Sequence, residues 1–185
     1  MNEQLKKLPL GCGKRFINGF VHVDLNAAEP IDYVSCLDKL DLLEDNSIGE
    51  IYCAHALEYY DRFEASQVLR EWRRTLAPGG KLYITVPNFS ALVEIYSKTN
   101  DIENIVGPLF GRWELGNGFI YHRTCWDFNS LSKLLKTLEF RDIKNFKPEE
   151  YLSQYDVNYD DFSLAYFPHK LKSGVQVSLA IEATK

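Results

Sequence analysis

Apolar and polar positions follow two rhythms along this chain. Short apolar runs occupy 4–10 (QLKKLPL), 20–24 (FVHVD), 32–36 (DYVSC), 50–55 (EIYCAH) and 81–87 (KLYITVP), with two later ones at 141–146 and 175–183. Runs of this length, bounded by turn residues, read as buried strands. Between them the spacing becomes helical. Val68, Leu69, Trp72 and Leu76 form one stripe within 62–76, and Asp61 with Glu64 supplies a capping-box start. Leu131, Leu134, Leu135 and Leu138 repeat at helical spacing in 128–138, and a third helix begins near Asn88 or Ser90 and carries Leu92, Val93 and Tyr96. Pro78-Gly79-Gly80 predicts a sharp turn that ends the 62–76 helix and opens the next strand.

Strands alternating with helices imply an α/β, Rossmann-like fold with a mainly parallel seven-stranded sheet covered on both faces. No helical pattern separates 141–146 from 175–183, so these two runs are expected to pair antiparallel at one edge. A length of 185 residues suits one domain spanning 1–185. One stretch departs from regular patterning. Residues 100–126 place Gly107, Gly111, Gly116 and Gly118 among Phe110, Trp113, Phe119, Tyr121 and Trp126, which reads as a lid-like insertion.

Charge narrows the functional classes. The net charge is −5, which argues against a large nucleic-acid footprint. The densest basic cluster, Arg70, Arg73 and Arg74, lies among Glu64 and Glu71 and reads as a solvated helix face. Cys12, Cys36, Cys53 and Cys125 show no metal-ligand spacing, and free thiols packed in a reducing cytoplasm are the plain expectation. No signal peptide is evident, and no apolar run approaches the ~18 residues of a membrane span.

The chemistry concentrates at "PLGCGKRFINGFVHVDLN". Gly11-Cys12-Gly13 ends an apolar strand, where glycine lets backbone approach a ligand. The dinucleotide fingerprint fails, because position 16 is Phe16 and the acidic residue, Asp24, comes far too early. A P-loop fails as well, for want of Gly-Lys-Ser/Thr. What remains is a ligand with a ribose but no required phosphate. Asp24, at the carboxyl end of the second strand, can accept hydrogen bonds from both ribose hydroxyls. Without a pyrophosphate, a helix N-terminus behind the glycines is dispensable, so the first crossover helix is expected to be shortened or absent. An extended link there reaches roughly 30 Å, which leaves one sheet face thinly covered near 14–19. S-adenosylmethionine is a ligand of this kind.

Three further stretches extend the pattern of "LPLGCG…GFVHVDLN": "LLEDNSIGEIYCAHALEY", "LREWRRTLAPGGKLYITVPNF" and "LFGRWELGNGFIYHRTCWDFNSLSKLLKTLEF". In this order they resemble the class I S-adenosylmethionine-dependent methyltransferases, specifically the short methyltransferase type 11-like group, over most of residues 5–146. The resemblance implies that Gly11, Cys12 and Gly13 lie beside the methionine part of the cofactor. It puts Asp24 on the ribose, Leu25 against the adenine, Cys36, Leu37 and Asp38 near the adenine edge, and Ala54 and His55 near the amino acid end. Two positions depart from the group. Cys36-Leu37 stands where the group has Asp-Leu, and Leu57-Glu58-Tyr59 where it has Leu-Glu-His.

The expected activity is methyl transfer (EC 2.1.1.-) to an oxygen or nitrogen of a small-molecule or saccharide acceptor, with no metal demanded and no nucleic-acid or membrane partner. The sulfonium is already an activated donor, so positioning and desolvation can supply much of the rate. His122, in "YHRTCWD", is the first candidate for the proton acceptor and His55 the rival, since an imidazole is mostly neutral at about pH 7. Arg123, Trp113 and Tyr121 are the candidate substrate contacts. His22 reads as a packed histidine and His169 as a loop residue. The competing expectation is a non-catalytic module or partner subunit that keeps the fold and binds adenosyl ligands, favoured by Cys36 and Tyr59.

Overall fold

The computed structural model describes residues 5–12, 15–25, 27, 31–155, 165–168 and 174–185. Gly13 and His169 lie outside the described residues. The central sheet contains β1 (Lys6–Leu10), β2 (Val23–Asp24), β3 (Tyr33–Val34), β4 (Ile48–Ala54), β5 (Leu76–Pro87), β8 (Arg141–Asn145) and β11 (Ser178–Thr184). Their order is β3-β2-β1-β4-β5-β11-β8. The first five run parallel, and β11 lies antiparallel to both β5 and β8. This is the seven-stranded α/β sheet that the apolar runs predict.

Strand composition explains the arrangement. Leu8 and Leu10 of β1, Ile51 and Cys53 of β4, and Leu82, Ile84 and Val86 of β5 are almost wholly buried, as strands covered on both faces must be. One face packs on α1 (Glu64–Thr75) and α4 (Phe128–Thr137). Both helices start at capping boxes. Asp61 accepts from the Phe63 and Glu64 amides while Glu64 accepts from the Asp61 amide; Asp127 and Ser130 reciprocate in the same way. Trp72 is fully buried, and its indole N–H donates to the Leu37 carbonyl at 2.8 Å, tying α1 to the turn after β3. Arg74 is absorbed by Glu71, Asp45 and the Leu40 and Leu43 carbonyls, so the basic face is neutralised locally.

Between β1 and β2 the described residues contain no helix. The face is nevertheless covered, which corrects the expectation of thin cover near 14–19. Ile17 and Phe20 are buried with Tyr52 and Ala54 against Tyr151 and Leu152 from α5 (Pro148–Leu152). Tyr151 lies 5.0 Å from the Tyr52 ring and 4.4 Å from Tyr83. Its hydroxyl donates to Glu50 at 2.7 Å; Tyr155 donates to the same oxygen at 3.0 Å and accepts from Lys7 at 2.8 Å. The link itself is stapled by His22. Its Nε2 accepts from the Ile17 amide at 2.9 Å, its Nδ1 lies 3.3 Å from Asp32, and Phe16 stacks on the ring.

Two boundaries differ from expectation. Pro78-Gly79-Gly80 does not separate α1 from a strand beginning at 81. Ile48 already pairs with Leu76, and pairing resumes at Glu50 with Lys81, so 77–80 bulge out within one strand. Gly79, at φ +79°, makes that bulge, and the terminal Lys185 closes it. The 175–183 run also divides. β10 (Val175–Gln176) pairs with β9 (Tyr166–Phe167), and Val177 crosses to the main sheet by accepting from the Asn88 amide. Residues 100–126 form α3 (Glu103–Phe110), beside α2 (Phe89–Thr99), and a hairpin of β6 (Trp113–Leu115) with β7 (Gly118–Ile120).

Tyr151→Ala should destabilise the protein by about 3–5 kcal/mol in denaturant unfolding, as expected for loss of a buried aromatic. Tyr151→Phe, which keeps the ring, should cost only about 1 kcal/mol. Equal, small effects would mean that α5 is not the cover of that face.

Candidate active site at the carboxyl edge of the sheet

The carboxyl ends of β1, β2, β4 and β5 open onto one edge, where open α/β sheets bind ligands. Gly11 turns the chain off β1 at φ +65°, and a Cβ there would come within 2.8 Å of the Ala56 Cβ, so only glycine fits. Cys12 is buried, and its thiol is pushed up to about 12 by burial and by the charge of Asp24. It is therefore a neutral packing group. A narrow cleft follows, lined by Leu10, Gly11, Cys12, Ile17, Tyr52 and Ala54.

Asp24 closes β2 and is 7% exposed, whereas its neighbour Leu25 is 45% exposed. A carboxylate beside an open apolar side chain suits a sugar hydroxyl pair next to a flat base. The 36–39 turn stands nearby. Its Leu37 is buried, Cys36 is exposed rather than packed, and the Ser35 hydroxyl donates to the Lys39 carbonyl. Asp38 is half-buried near Tyr60, whose hydroxyl is pushed up by burial first and then by that charge.

The next residues hold the most unusual geometry. His55 has φ +55°, uncommon for a side chain with a Cβ, and its amide donates to Thr85 at 2.9 Å. The left-handed turn sends the chain into a single 3-10 turn, Leu57–Tyr59. The Glu58 side chain is thereby buried completely. Its Oε1 is 3.0 Å from His55 Nδ1 and 3.9 Å from His122 Nε2, ion-pair distances, and neither Oε1 nor Oε2 has a hydrogen-bond partner among the described residues. His55 Nε2 lies 2.8 Å from the Ser178 hydroxyl.

His122 is held from several sides. Its Nδ1 lies 3.0 Å from the Pro108 carbonyl, its ring meets Tyr59 edge-on, and it fills the space that a Cβ on Gly111 would need. Burial lowers its pKa, opposed by the Glu58 charge and the Pro108 carbonyl. The Arg123 amide donates to the Glu58 carbonyl at 2.8 Å, docking the 100–126 segment on this turn. The Arg123 guanidinium is engaged by Glu64 at 2.5 Å and Asp61 at 3.1 Å. Trp113 and Tyr121 stand about half exposed on and after the hairpin.

The structure thus brings together Gly11, Cys12, Asp24, Ala54 and His55 at one edge, with His122 across Glu58. Sequence reasoning missed Glu58 and Ser178 as site residues. For Glu58 a signal existed, a carboxylate inside the apolar run "AHALEYY". Ser178 carried none, since its role depends on β11 returning between β5 and β8. Among the described residues no cluster of His, Cys, Asp and Glu is arranged to hold a metal ion, and no helix is long and apolar enough to cross a membrane.

Residues 21–84 match a family model described as a methyltransferase domain. No curated protein matches the sequence. Among solved structures, an Archaeoglobus fulgidus SAM-dependent methyltransferase superposes with a TM-score of 0.58 at 16% identity, over 98% of this chain and 86% of that one. A Methanosarcina mazei SAM-dependent methyltransferase gives 0.56 at 16% identity, over 100% and 94%. The Burkholderia thailandensis 1,6-didemethyltoxoflavin-N1-methyltransferase, solved with 1,6-didemethyltoxoflavin and S-adenosylhomocysteine, gives 0.52 at 13% identity, over 97% and 70%. The chain has the class I methyltransferase fold. Within that methyltransferase fold, the His55–Glu58–His122 cluster sits at the edge where β4 ends.

Two stability predictions follow from His122. Gly111→Ala should destabilise by at least about 2 kcal/mol, because the new Cβ overlaps the imidazole and the backbone is left-handed. Because the folded pKa of His122 lies below the ordinary value of about 6.5, the unfolded chain takes up this proton first as pH falls. Its contribution is therefore complete above about pH 6.5 and is lost as pH drops toward the lowered folded value. Melting scans across that window should show a loss that is smaller in His122→Asn; an equal loss in both proteins overturns the assignment.

Proposed function

We propose that the protein is an S-adenosylmethionine-dependent methyltransferase acting on an oxygen or nitrogen of a small-molecule or saccharide-type acceptor. Residues 1–185 act as one domain, and the 100–126 segment caps the acceptor. The free thiols, with Cys36 and Cys125 exposed, suit a reducing, cytoplasmic setting. The residues at the sheet edge fit the cofactor. Asp24 would hold the ribose hydroxyls, Leu25 the adenine face, and Cys36, Leu37 and Asp38 the adenine edge. Gly11, Cys12 and Gly13 would border the methionine part, with Ala54 and His55 at its amino acid end. When bound, the cofactor supplies an activated methyl group.

What this chain adds is proton handling and exclusion of water. The observation that carries a catalytic reading is Glu58, fully buried with imidazoles on two sides. A binding module gains little from such a group, since an apolar residue of similar volume is often as stable or more so. An enzyme gains a carboxylate that stabilises an imidazolium as it forms. His55 and His122 are the two candidate proton acceptors. Arg123, Trp113 and Tyr121 flank the acceptor side, Arg123 as a fixed charge already oriented by Asp61 and Glu64.

S-adenosylhomocysteine at about 100 times its dissociation constant should stabilise the fold by about 2.7 kcal/mol. Asp24→Ala should remove most of that gain; calorimetry with equal affinity for both proteins would defeat the ribose assignment. Methyl transfer with His122→Ala and His55→Ala then separates the two imidazoles. Loss of about 10²-fold or more in turnover marks the proton acceptor.

A further inference from the structure

Resting on the methyltransferase reading, we infer that Ser178, His55 and Glu58 form a proton-relay line serving an uncharged hydroxyl acceptor in the groove beside Ser178. The line is short: the Ser178 hydroxyl is hydrogen-bonded to His55 Nε2 at 2.8 Å, and His55 Nδ1 lies 3.0 Å from Glu58 Oε1, an ion-pair contact through which the carboxylate acts by its charge. Each member is fixed by a different part of the fold. Ser178 opens β11 opposite Pro87 of β5, His55 is held in its left-handed turn, and Glu58 is sealed in the turn that follows.

The outer end of this line faces an open groove of about 370 Å³. Asn88, Ser90, Asn145, Gln176 and Ser178 line it, with Phe128 and Phe146 as walls, and no described lining residue is charged. The side chains of Asn88, Ser90 and Asn145 make no hydrogen bond to any described residue. Amides and hydroxyls both donate and accept, as acceptor hydroxyls do, whereas a phosphate or carboxylate would find no cation among them. The middle of the line adjoins the proposed cofactor cleft, which is lined by Ala54, the residue before His55.

In the step, the acceptor oxygen bonds the methyl carbon as the methyl–sulfur bond breaks, its electron pair staying on sulfur. The acceptor proton passes to the Ser178 oxygen while the Ser178 proton passes to His55 Nε2. The imidazolium so formed lies against the Glu58 carboxylate, which is a positioning residue acting through His55. His122, held by Pro108 and Gly111, pins the cap and stays outside the line.

The test uses the whole chain, labelled S-adenosylmethionine, and two fractions of a cell extract, one uncharged and one retained by an anion exchanger. Label should enter the uncharged fraction, and Ser178→Ala and Glu58→Gln should lower the initial rate by about 10²-fold. Affinity for S-adenosylhomocysteine should be unchanged in both variants, and Glu58→Asp should recover part of the rate. Label confined to the anionic fraction, or wild-type rate in either variant, overturns the relay. Ser178→Ala removes one hydroxyl at the start of a strand, so its rate decides the matter even if Glu58→Gln fails to fold. Failure of the underlying reading looks different: wild type then neither binds S-adenosylhomocysteine nor transfers label to either fraction.

Discussion

A parallel sheet whose strands are apolar on both faces must be covered twice, because βαβ crossovers leave no face for water. In this chain α1 and α4 cover one face, and the link after β1 supplies no helix among the described residues to cover the other. Much of the remaining architecture answers that constraint. Ile17 and Phe20 pack inward from the link, and Tyr151 and Leu152 arrive from the opposite end of the chain. Glu50, which would otherwise be a carboxylate on a covered face, is satisfied by Tyr151, Tyr155 and Lys7. The His22 staple then holds the link in place of a helix's own hydrogen bonds.

The same constraint shapes the functional edge. A link with no helix among its described residues presents no helix N-terminus to a phosphate there, and the edge is formed instead by strand ends: Gly11, Asp24 and Ala54. Because β4 lies in the middle of the sheet, the residue after it is placed at the centre of that edge. His55 takes a left-handed conformation there, and the chain turns at once, which buries Glu58. A buried carboxylate is costly unless paired, and two imidazoles meet it. One comes from the strand end and the other from the 100–126 segment, so the cluster ties that segment to the sheet.

The hydrophobic rhythm was sufficient for element type and order, since buried strands and amphipathic helices impose periods that local sequence must obey. The runs at 50–55 and 81–87, the stripe of α1 and the Asp61–Glu64 capping pair all appear in place. Boundaries were less legible. The regular part of the strand expected at 20–24 is only Val23–Asp24, although the Val21 amide still donates to the Lys7 carbonyl of β1 and the His22 carbonyl accepts from the Asp32 and Tyr33 amides. The bulge at 77–80 hides inside β5 because its closure depends on Lys185, more than a hundred residues away in sequence.

By itself the sequence determined a mainly parallel sheet, the glycine turn with Asp24 after it, and the lack of room for a first crossover helix. Each of these follows from local spacing, which no tertiary contact can change. Only the tertiary structure decided what covers the second face, and which polar groups meet at the edge. Tyr151 with Tyr52, and Ser178 with His55 and Glu58, are joined by the return of the C-terminal part of the chain against the sheet. Their juxtaposition rests on strand order and register, which are set by packing across the whole molecule and leave no local mark.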